Sequence, residues 1–591
     1  MRIKWLFLIL LLAPIARGAN PPTIFFTDLA SGANSGGETA SGYSGVYVTI
    51  YGNNFGASPT VTWNGLNCLR VVPVHGNAVN PWMWYQKLVV QFGSACTTGS
   101  GALVVTSGGQ ASVCEDVGTR GSHCQFTVRS GHIFFVSTSG NDSNVGSFAA
   151  PWATMLQARN AMAPGDVTYA ENGVAQTTDD GSGWNTYFLI DSQQGTLGNP
   201  LALVAYPGAT ATIGTATLAN EIGIRSKGSE GSACSNNNDV GCQSHWVFAG
   251  LTLRAHDQAM GPWGDSDWRM VGMDVSCPNG NGQTGCWEST LLTNSVFLGN
   301  NLHDAGTAGA SSLYQGMYPS SDSNHLEIGW NTVANVLGCR GIQIHSSPID
   351  AMTGYNQFDL SIHDNVIHDT QCDGIILATV DPSKGAILVY NNVIYNAGKG
   401  NTPEGSGAWF CVNSPGYTNT GAPGSGNIEV YNNTMYNCGP NPNPSYGGSS
   451  GGVGNGGNNA NLQVHIRNNI IYDTNSNAPY WVNGSTSSNG VFGDNNIMFG
   501  LGVPPASSVI TGTINSDPLF ASITTPDFHL SSASSPANGA GDKSTPASIY
   551  DHDGLSRPSP PSVGAYEFAA GAVVTRPNPP TNLTVTIVVV P

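Results

Sequence analysis

The chain has 591 residues, too many for one ordinary core, so two to four domains are expected unless a repeat extends one of them. Only 9% of residues are charged, and 37 Asp+Glu against 19 Lys+Arg leave a net charge of −18, which excludes the basic footprint of a nucleic-acid binder or a protein held on anionic lipid. The 76 glycines, with abundant Asn, Ser and Thr, point instead to a β-rich extracellular chain with many tight turns.

At the N-terminus, MRIKWLFLILLLAPIARGAN places Arg2 and Lys4 before an apolar run from Trp5 to Leu12, with small residues at Ala16, Gly18 and Ala19. That is the pattern of a secretory signal peptide over residues 1–19. The run is well short of the ~20 residues that span a bilayer, and no later segment is long and apolar enough, so no membrane span is expected after cleavage. Twelve cysteines in an exported chain argue for disulfides. They fall into neighbouring couples: Cys68/Cys96, Cys114/Cys124, Cys234/Cys242, Cys277/Cys286, Cys339/Cys372 and Cys411/Cys438. There is no C-x-x-C and no Cys/His cluster at ligand spacing to speak for zinc.

Residues 20–130 alternate apolar and polar between Gly-rich turns, as in VYVTIYGNNFG, PTVTWNG, KLVVQFG and GALVVTSGG, which predicts a small β-sandwich. The start at Pro22, the VTIYGNNFG stretch (48–56) and the later LVVTSGG resemble an IPT/TIG domain, an immunoglobulin-like module. The resemblance implies a spacer or binding appendage without chemistry of its own.

A second unit, residues 131–568, opens on HIFFVSTSGNDSNVGSFAAPWATMLQARNAMAPGD (132–166). A strand at 133–137 is followed by a short predicted helix, with Pro151 as an early helical residue and Trp152, Met155, Leu156 and Met162 on one face. One amphipathic helix after one strand suits the lid of a parallel β-helix. This stretch and GNPLALVAYPGATATI (198–213) resemble the start of secreted β-helix polysaccharide lyases and glycoside hydrolases. Where those proteins read an apolar strand after Pro-Gly-Asp, this chain reads VTYAENGV and a polar insertion up to Trp184.

The middle of the chain is a repeat. NNLHD at Asn300, NTVAN at Asn331, NVIHD at Asn365, NVIYN at Asn392, NTMYN at Asn433, NIIYD at Asn469 and NIMFG at Asn496 recur at spacings of 31, 34, 27, 41, 36 and 27 residues. A period of that length with variable insertions is a solenoid whose repeats bury their apolar faces against their neighbours. The segments before each Asn, such as LSIH, ILVY, IEVY and LQVH, alternate with period two. The fold expected is therefore all-β: a right-handed parallel β-helix preceded by the immunoglobulin-like sandwich. Asn at the end of such a strand accepts the left-handed backbone of a sharp turn, and stacked Asn side chains can bond from rung to rung. Residues 517–542 and SVGAYEF (562–568) resemble the last turns of bacterial β-helix proteins, and residues 569–591 form a Pro-rich tail.

His303 and His368, each followed by Asp, share a column with Tyr395, Tyr436, Tyr472 and Phe499, so an aromatic stack accounts for them, with Asp304 and Asp369 as turn residues. More telling are GCRGIQIHS (338–346) and QCDGIILAT (371–379). Aligned, they match Cys339 with Cys372 and Arg340 with Asp373. Alternation turns Gln343 and His345 outward, with Gln315 and Tyr318 of QGMYPS on the same face. Loops at 347–357, 380–385 and 413–426 would wall a groove there. Its catalytic candidates are Arg340, His345, Asp373 and, from DPSKG, Lys384, with Tyr318 and Gln343 binding substrate. For a lyase, Lys384 or His345 would take the proton at C5 of a uronate while Arg340 neutralises its carboxylate. For a hydrolase, Asp373 with Asp381 or Glu327 would supply the two carboxylates. A plain ion pair between Arg340 and Asp373 is the alternative without chemistry.

No cofactor is predicted. Calcium is the one ion the resemblance leaves open, although the tight Asp cluster of pectate lyases is missing near Asp373. Two functions follow: an extracellular polysaccharide-acting enzyme, lyase before hydrolase, or a non-catalytic surface or adhesion protein in which the β-helix is a rod.

Overall fold

The computed structural model describes residues 20–73, 82–115, 123–219, 222–227, 243–346, 357–400, 409–416, 424–440, 450–456, 461–474, 480–483, 490–502, 509–544 and 546–569. The leader expected at 1–19, the Cys234/Cys242 couple, the tail beyond 569 and most of the loop at 347–357 lie outside these residues.

Three parallel sheets form the body, and each turn of the chain adds one strand to each in the order I, II, III. Sheet I has thirteen described strands starting at Ile133–Val136, sheet II eleven starting at Ala175–Gln176, and sheet III ten starting at Thr186–Ile190. This is the right-handed β-helix that the repeat predicts. Alternate residues of each strand, such as Leu326, Ile328, Leu360, Ile362, Ile387 and Val389 of sheet I, fill one continuous core.

The strands preceding Asn300, Asn331, Asn365, Asn392, Asn433 and Asn469 are neighbours in sheet I, all parallel. The Asn side chains form the expected ladder: each amide from Asn300 to Asn469 donates to the Oδ1 of the next, at 2.9–3.0 Å, as far as Asn496. One detail differs from expectation. The left-handed residue is the one before the ladder Asn, at Trp330, Asp364, Asn391, Asn432, Asn468 and Asn495, all with φ between 50° and 55°. The ladder side chain must point inwards over the turn, so its predecessor takes the reversal. Cys339–Cys372 and Cys411–Cys438 are bonded as expected, as are Cys68–Cys96, Cys114–Cys124 and Cys277–Cys286.

The helix spans only Met155–Ala161. Thr154 caps it by accepting from the backbone N–H of Gln157, and Pro151 lies outside, where Trp152 pairs with Val136 as a short parallel bridge. After Pro-Gly-Asp, Val167–Ala170 is a fully buried strand of sheet I, not the polar departure expected. Its outward Tyr169 is buried because the N-terminal sandwich sits on it.

That sandwich has two five-stranded sheets, one ordered from Leu69–Val72 through Gln86–Phe92, Tyr47–Asn53 and Thr23–Thr27 to Val113–Cys114. It is no free spacer. Phe25, Phe26, Tyr47, Tyr51 and Tyr85 pack on the outward residues of sheet I, Tyr169, Val204, Val247, Val271, Leu298 and Trp330 among them. Tyr169 and the backbone of Tyr47 exchange hydrogen bonds of 2.9 Å.

Residues 517–569 add no further rungs of the three sheets. A hairpin of Phe520–Ser522 and Asp527–Leu530 lays Phe528 against Tyr395 and Tyr436 on the outside of sheet II. The chain then runs back along the edge between sheets I and II, taking hydrogen bonds from Asn468 and Asn391 and giving one from the Ser548 backbone to Asn432, until Gly554 and Asp553 meet Thr23 and Asn53 of the sandwich.

Candidate functional site

The outward face of sheet III carries Tyr318, Gln343 and His345; Gln315, expected beside them, is three residues from Tyr318 and so takes the inward parity of Met317, fully buried. Strand register aligns Glu288, Tyr318, Gln343, Ile376 and Asn413 in one outward column, above an inward column of Trp287, Met317, Ile342, Ile375 and Val412. One rung step is ~4.8 Å, so neighbours in the column are in side-chain contact range. Tyr318 Oη and His345 Nδ1 are 3.1 Å apart. Arg340 Nη1 donates to Gln343 Oε1 at 2.9 Å, and the backbone N–H of Arg340 donates to Gln315 Oε1 at 3.0 Å. A polar strip of Arg340, Gln343, Tyr318 and His345 therefore crosses two adjacent rungs.

The rungs are held in this register from below. Cys339–Cys372 sits beneath the Trp409 ring. Gly341 and Gly374 follow Arg340 and Asp373 because a Cβ there would come within 2.6 Å of the Gly374 carbonyl oxygen and 2.8 Å of the Cys411 carbonyl oxygen respectively. Arg340 and Asp373 consequently face each other, Nε to Oδ2, at 3.4 Å. The distance makes an ion pair, yet the two atoms are not aligned for a hydrogen bond. Asp373 Oδ1 accepts instead from the Phe410 backbone N–H at 2.8 Å and from Asn413 Nδ2 at 3.2 Å. Asp373 is completely buried, and burial pushes its carboxyl up to about 6 against the pull of Arg340. The guanidinium, one-sixth exposed, lies 5.8 Å over the Trp409 ring.

The remaining candidates separate. Lys384 stands on the turn after Ile375–Leu377, its Nζ 3.7 Å from Asp381 and 5.9 Å over the Phe358 ring. It faces Asp322, whose carboxyl burial pushes up to about 7 while Lys384 pulls it down. Asp381 is tied down by the Ser383 hydroxyl and the Ser425 backbone N–H. Glu327 belongs to sheet I, beneath the sandwich, with Oε1 2.7 Å from His123 Nε2 and 3.1 Å from His363 Nε2. Burial opposes its ionisation, but His123 and His363 outweigh it and hold the carboxyl well below the usual range. The hydrolase pairing of Asp373 with Glu327 is therefore excluded, since the two sit on different sheets and both are buried.

Of the two histidines expected in an aromatic stack, only His368 is a stack member; His303 has Ser276 and Ala334 as column neighbours and lies between Asp274 and Asp304, at 3.2 and 2.7 Å, which raise its pKa. His368 lies flat on Tyr395 at 4.6 Å, Tyr436 packs edge-on against Tyr472, and Asp304 and Asp369 have positive φ. Sequence reading missed Trp409 and Asn413. Cys411, the marker nearest them, occupies the column of Gly341 and Gly374 and not that of Cys339 and Cys372, so alignment on cysteines shifts that rung by two residues.

Among the described residues, no group of three or more His, Cys, Asp or Glu could hold a metal ion. Around Asp373 the partners are N–H donors and a guanidinium, which do not fit calcium. No helix among the described residues is long and apolar enough to cross a membrane.

No family model and no curated protein matches the chain. Among solved structures, it is similar to the pectate lyase Pel9A, at 16% identity over 74% of this chain and 97% of that one, with a TM-score of 0.48. It is also similar to a rhamnogalacturonan lyase (16% identity, 63% and 74% covered, TM-score 0.29). A third likeness is to a family 28 exopolygalacturonase of Yersinia enterocolitica (11% identity, 84% and 96% covered, TM-score 0.34).

Proposed function

We propose that this is a secreted, carbohydrate-active protein that binds an extracellular polysaccharide along the outward face of sheet III and cleaves it at a uronate by β-elimination. The observation that supports the reading is the Tyr318–His345 contact of 3.1 Å beside the Arg340–Gln343 pair on adjacent rungs. Elimination needs a base at C5, an acid for the leaving oxygen and positive charge at the carboxylate.

In the tautomer the reaction needs, His345 Nδ1–H donates to the Tyr318 oxygen. The Nε2 lone pair then takes the proton from C5, the C4–O bond breaks as the C4=C5 double bond forms, and the Tyr318 hydroxyl gives its proton to the departing oxygen. Arg340 and Gln343 hold the carboxylate, which lowers the cost of the developing charge. Asp373 is a positioning residue, because its ion pair fixes Arg340 over Trp409. Lys384 takes no part in this scheme. The sandwich, as an IPT/TIG-like module, serves to cover sheet I.

The test is a screen of the full chain against uronate-containing and neutral polysaccharides, reading both the ultraviolet absorbance of the unsaturated uronate product and new reducing ends. Both signals together support the lyase, and reducing ends alone would make it a hydrolase. His345→Ala and Tyr318→Phe are each expected to lower kcat by at least about a hundredfold. Full activity in both variants would overturn the site, and glycan binding without cleavage would favour the adhesion protein.

A further inference from the structure

The outward column of sheet III does not end at Tyr318. Towards the earlier rungs it continues through Glu288 and Gly261 to Arg225. Gly261 makes a dip in this column, since its missing Cβ would come within 2.7 Å of Gln258 Nε2. A cleft of about 100 Å³ opens there, lined by Arg225, Gln258, Trp263, Glu288 and Thr290.

Three features give the cleft a chemical preference. The Arg225 guanidinium lies 5.0 Å over the Trp184 ring and the Lys227 ammonium 5.8 Å over the same ring, so one indole gathers two cations in a chain with only 19 Lys+Arg. Lys227 is also paired with Asp191 at 2.9 Å, and both are about half exposed, which leaves the pair weak. At the other end of the dip, two rungs from Arg225, Glu288 accepts from the Thr284 hydroxyl, so its carboxylate is held in place as an acceptor. Finally, the Trp263 indole lines the cleft beside them, an apolar ring against which a sugar ring can lie.

We infer that this cleft is a distal subsite for a second uronate of the same polysaccharide chain. Arg225, whose Nη1 already donates to the Trp184 carbonyl at 3.3 Å, takes its carboxylate as a fixed cation, while Glu288 accepts from a ring hydroxyl. Arg225 lies three rungs from Tyr318, ~14 Å at ~4.8 Å per rung. A rung is about as long as one pyranose unit, so the subsite holds a sugar about three units from the bond that breaks. The inference rests on the reading of Tyr318 and His345 as the point of cleavage, and it makes the protein selective for runs of acidic sugars over isolated ones.

The experiment compares trimers and hexamers of galacturonate, mannuronate and guluronate, with xylohexaose as the neutral probe, on the full-length protein. The wild type is expected to prefer the hexamer of one uronate over its trimer. Arg225→Gln should lower that hexamer-to-trimer ratio of kcat/KM about tenfold or more, and Arg225→Lys should recover part of it. Binding of the uncleaved hexamer to the His345→Ala variant, followed by calorimetry, should weaken to a similar extent when Arg225→Gln is added. An unchanged thermal midpoint in Arg225→Gln shows that the variant is folded. Cleavage of uronates with the ratio unmoved by Arg225→Gln would overturn the subsite and leave the proposed function standing. Arg225-dependent binding of xylohexaose alone would overturn the preference for uronate. No cleavage of any uronate by the wild type would overturn the proposed function itself, and the subsite with it.

Discussion

Asn365 is the place to test what holds the rungs together. Its side chain is fully buried and makes four hydrogen bonds. Oδ1 accepts from the backbone N–H and the amide of Asn331 at 3.0 and 2.9 Å, and Nδ2 donates to the Ile328 carbonyl and to Asn392 Oδ1, both at 2.9 Å. At about 1 kcal/mol net for each bond, and more where a buried partner is left unsatisfied, Asn365→Ala should cost about 4–6 kcal/mol. No relief of backbone strain offsets this, because the left-handed residue is Asp364. A loss of that size is a large part of the ~5–15 kcal/mol by which a domain is stable. Asn365→Asp separates hydrogen bonding from shape. It keeps the acceptor oxygen but turns a carboxylate oxygen towards the Ile328 carbonyl and Asn392 Oδ1, so at neutral pH it should be at least as damaging as Ala. Towards pH 4 the acid protonates, regains one donor, and the variant should recover. Guanidinium unfolding followed by tryptophan fluorescence measures both. A cost below about 1 kcal/mol for Asn365→Ala, or an Asn365→Asp variant indifferent to pH, would refute the ladder as a source of stability.

Two other perturbations follow from the geometry. Between the sandwich and the solenoid, burial would lower the pKa of His363, but Asp364 and Glu327 override it and push it up to about 9. Its contribution is therefore complete below about pH 6.5 and lost as pH rises through 9, by up to about 3 kcal/mol. Asp551, pushed up to about 8 by burial, acts in the same direction, so the thermal midpoint should fall between pH 6.5 and 9 and a flat profile would contradict the buried pairing. Glu327, held low by His123 and His363, works at the other end, and its share is lost as pH falls below the usual carboxylate range. Replacing Cys339 and Cys372 by Ser opens a link between residues 33 apart, which should cost about 3–4 kcal/mol by loop closure. The double variant should also lose activity at wild-type folding conditions, because Arg340 and Asp373 follow those cysteines directly; full activity would show that the clip does not position them.

Much of the solenoid was legible in the sequence, and for a simple reason. A rung contacts chiefly its neighbours, so its demands repeat: an inward apolar residue every second position, an Asn over each turn, an aromatic three residues later. Local repetition of that kind shows as a period, and it placed the Asn ladder, the parallel strands of sheet I, the Cys339–Cys372 clip and the outward Gln343 and His345. What it could not show was which outward faces meet something else. VTYA and LALVA lack period-two alternation because the sandwich covers their outer side, and that is a contact between residues more than a hundred positions apart. The same holds for the path of residues 517–569 outside the rungs, for Glu327 under the sandwich and not beside Asp373, and for Trp409 reaching over Arg340 from a rung whose cysteine is out of step. Side-chain direction within a rung is set by neighbours in sequence, whereas burial of an outer face is set by whatever the folded chain lays upon it; the first is written in the period, and the second is decided only by the tertiary structure.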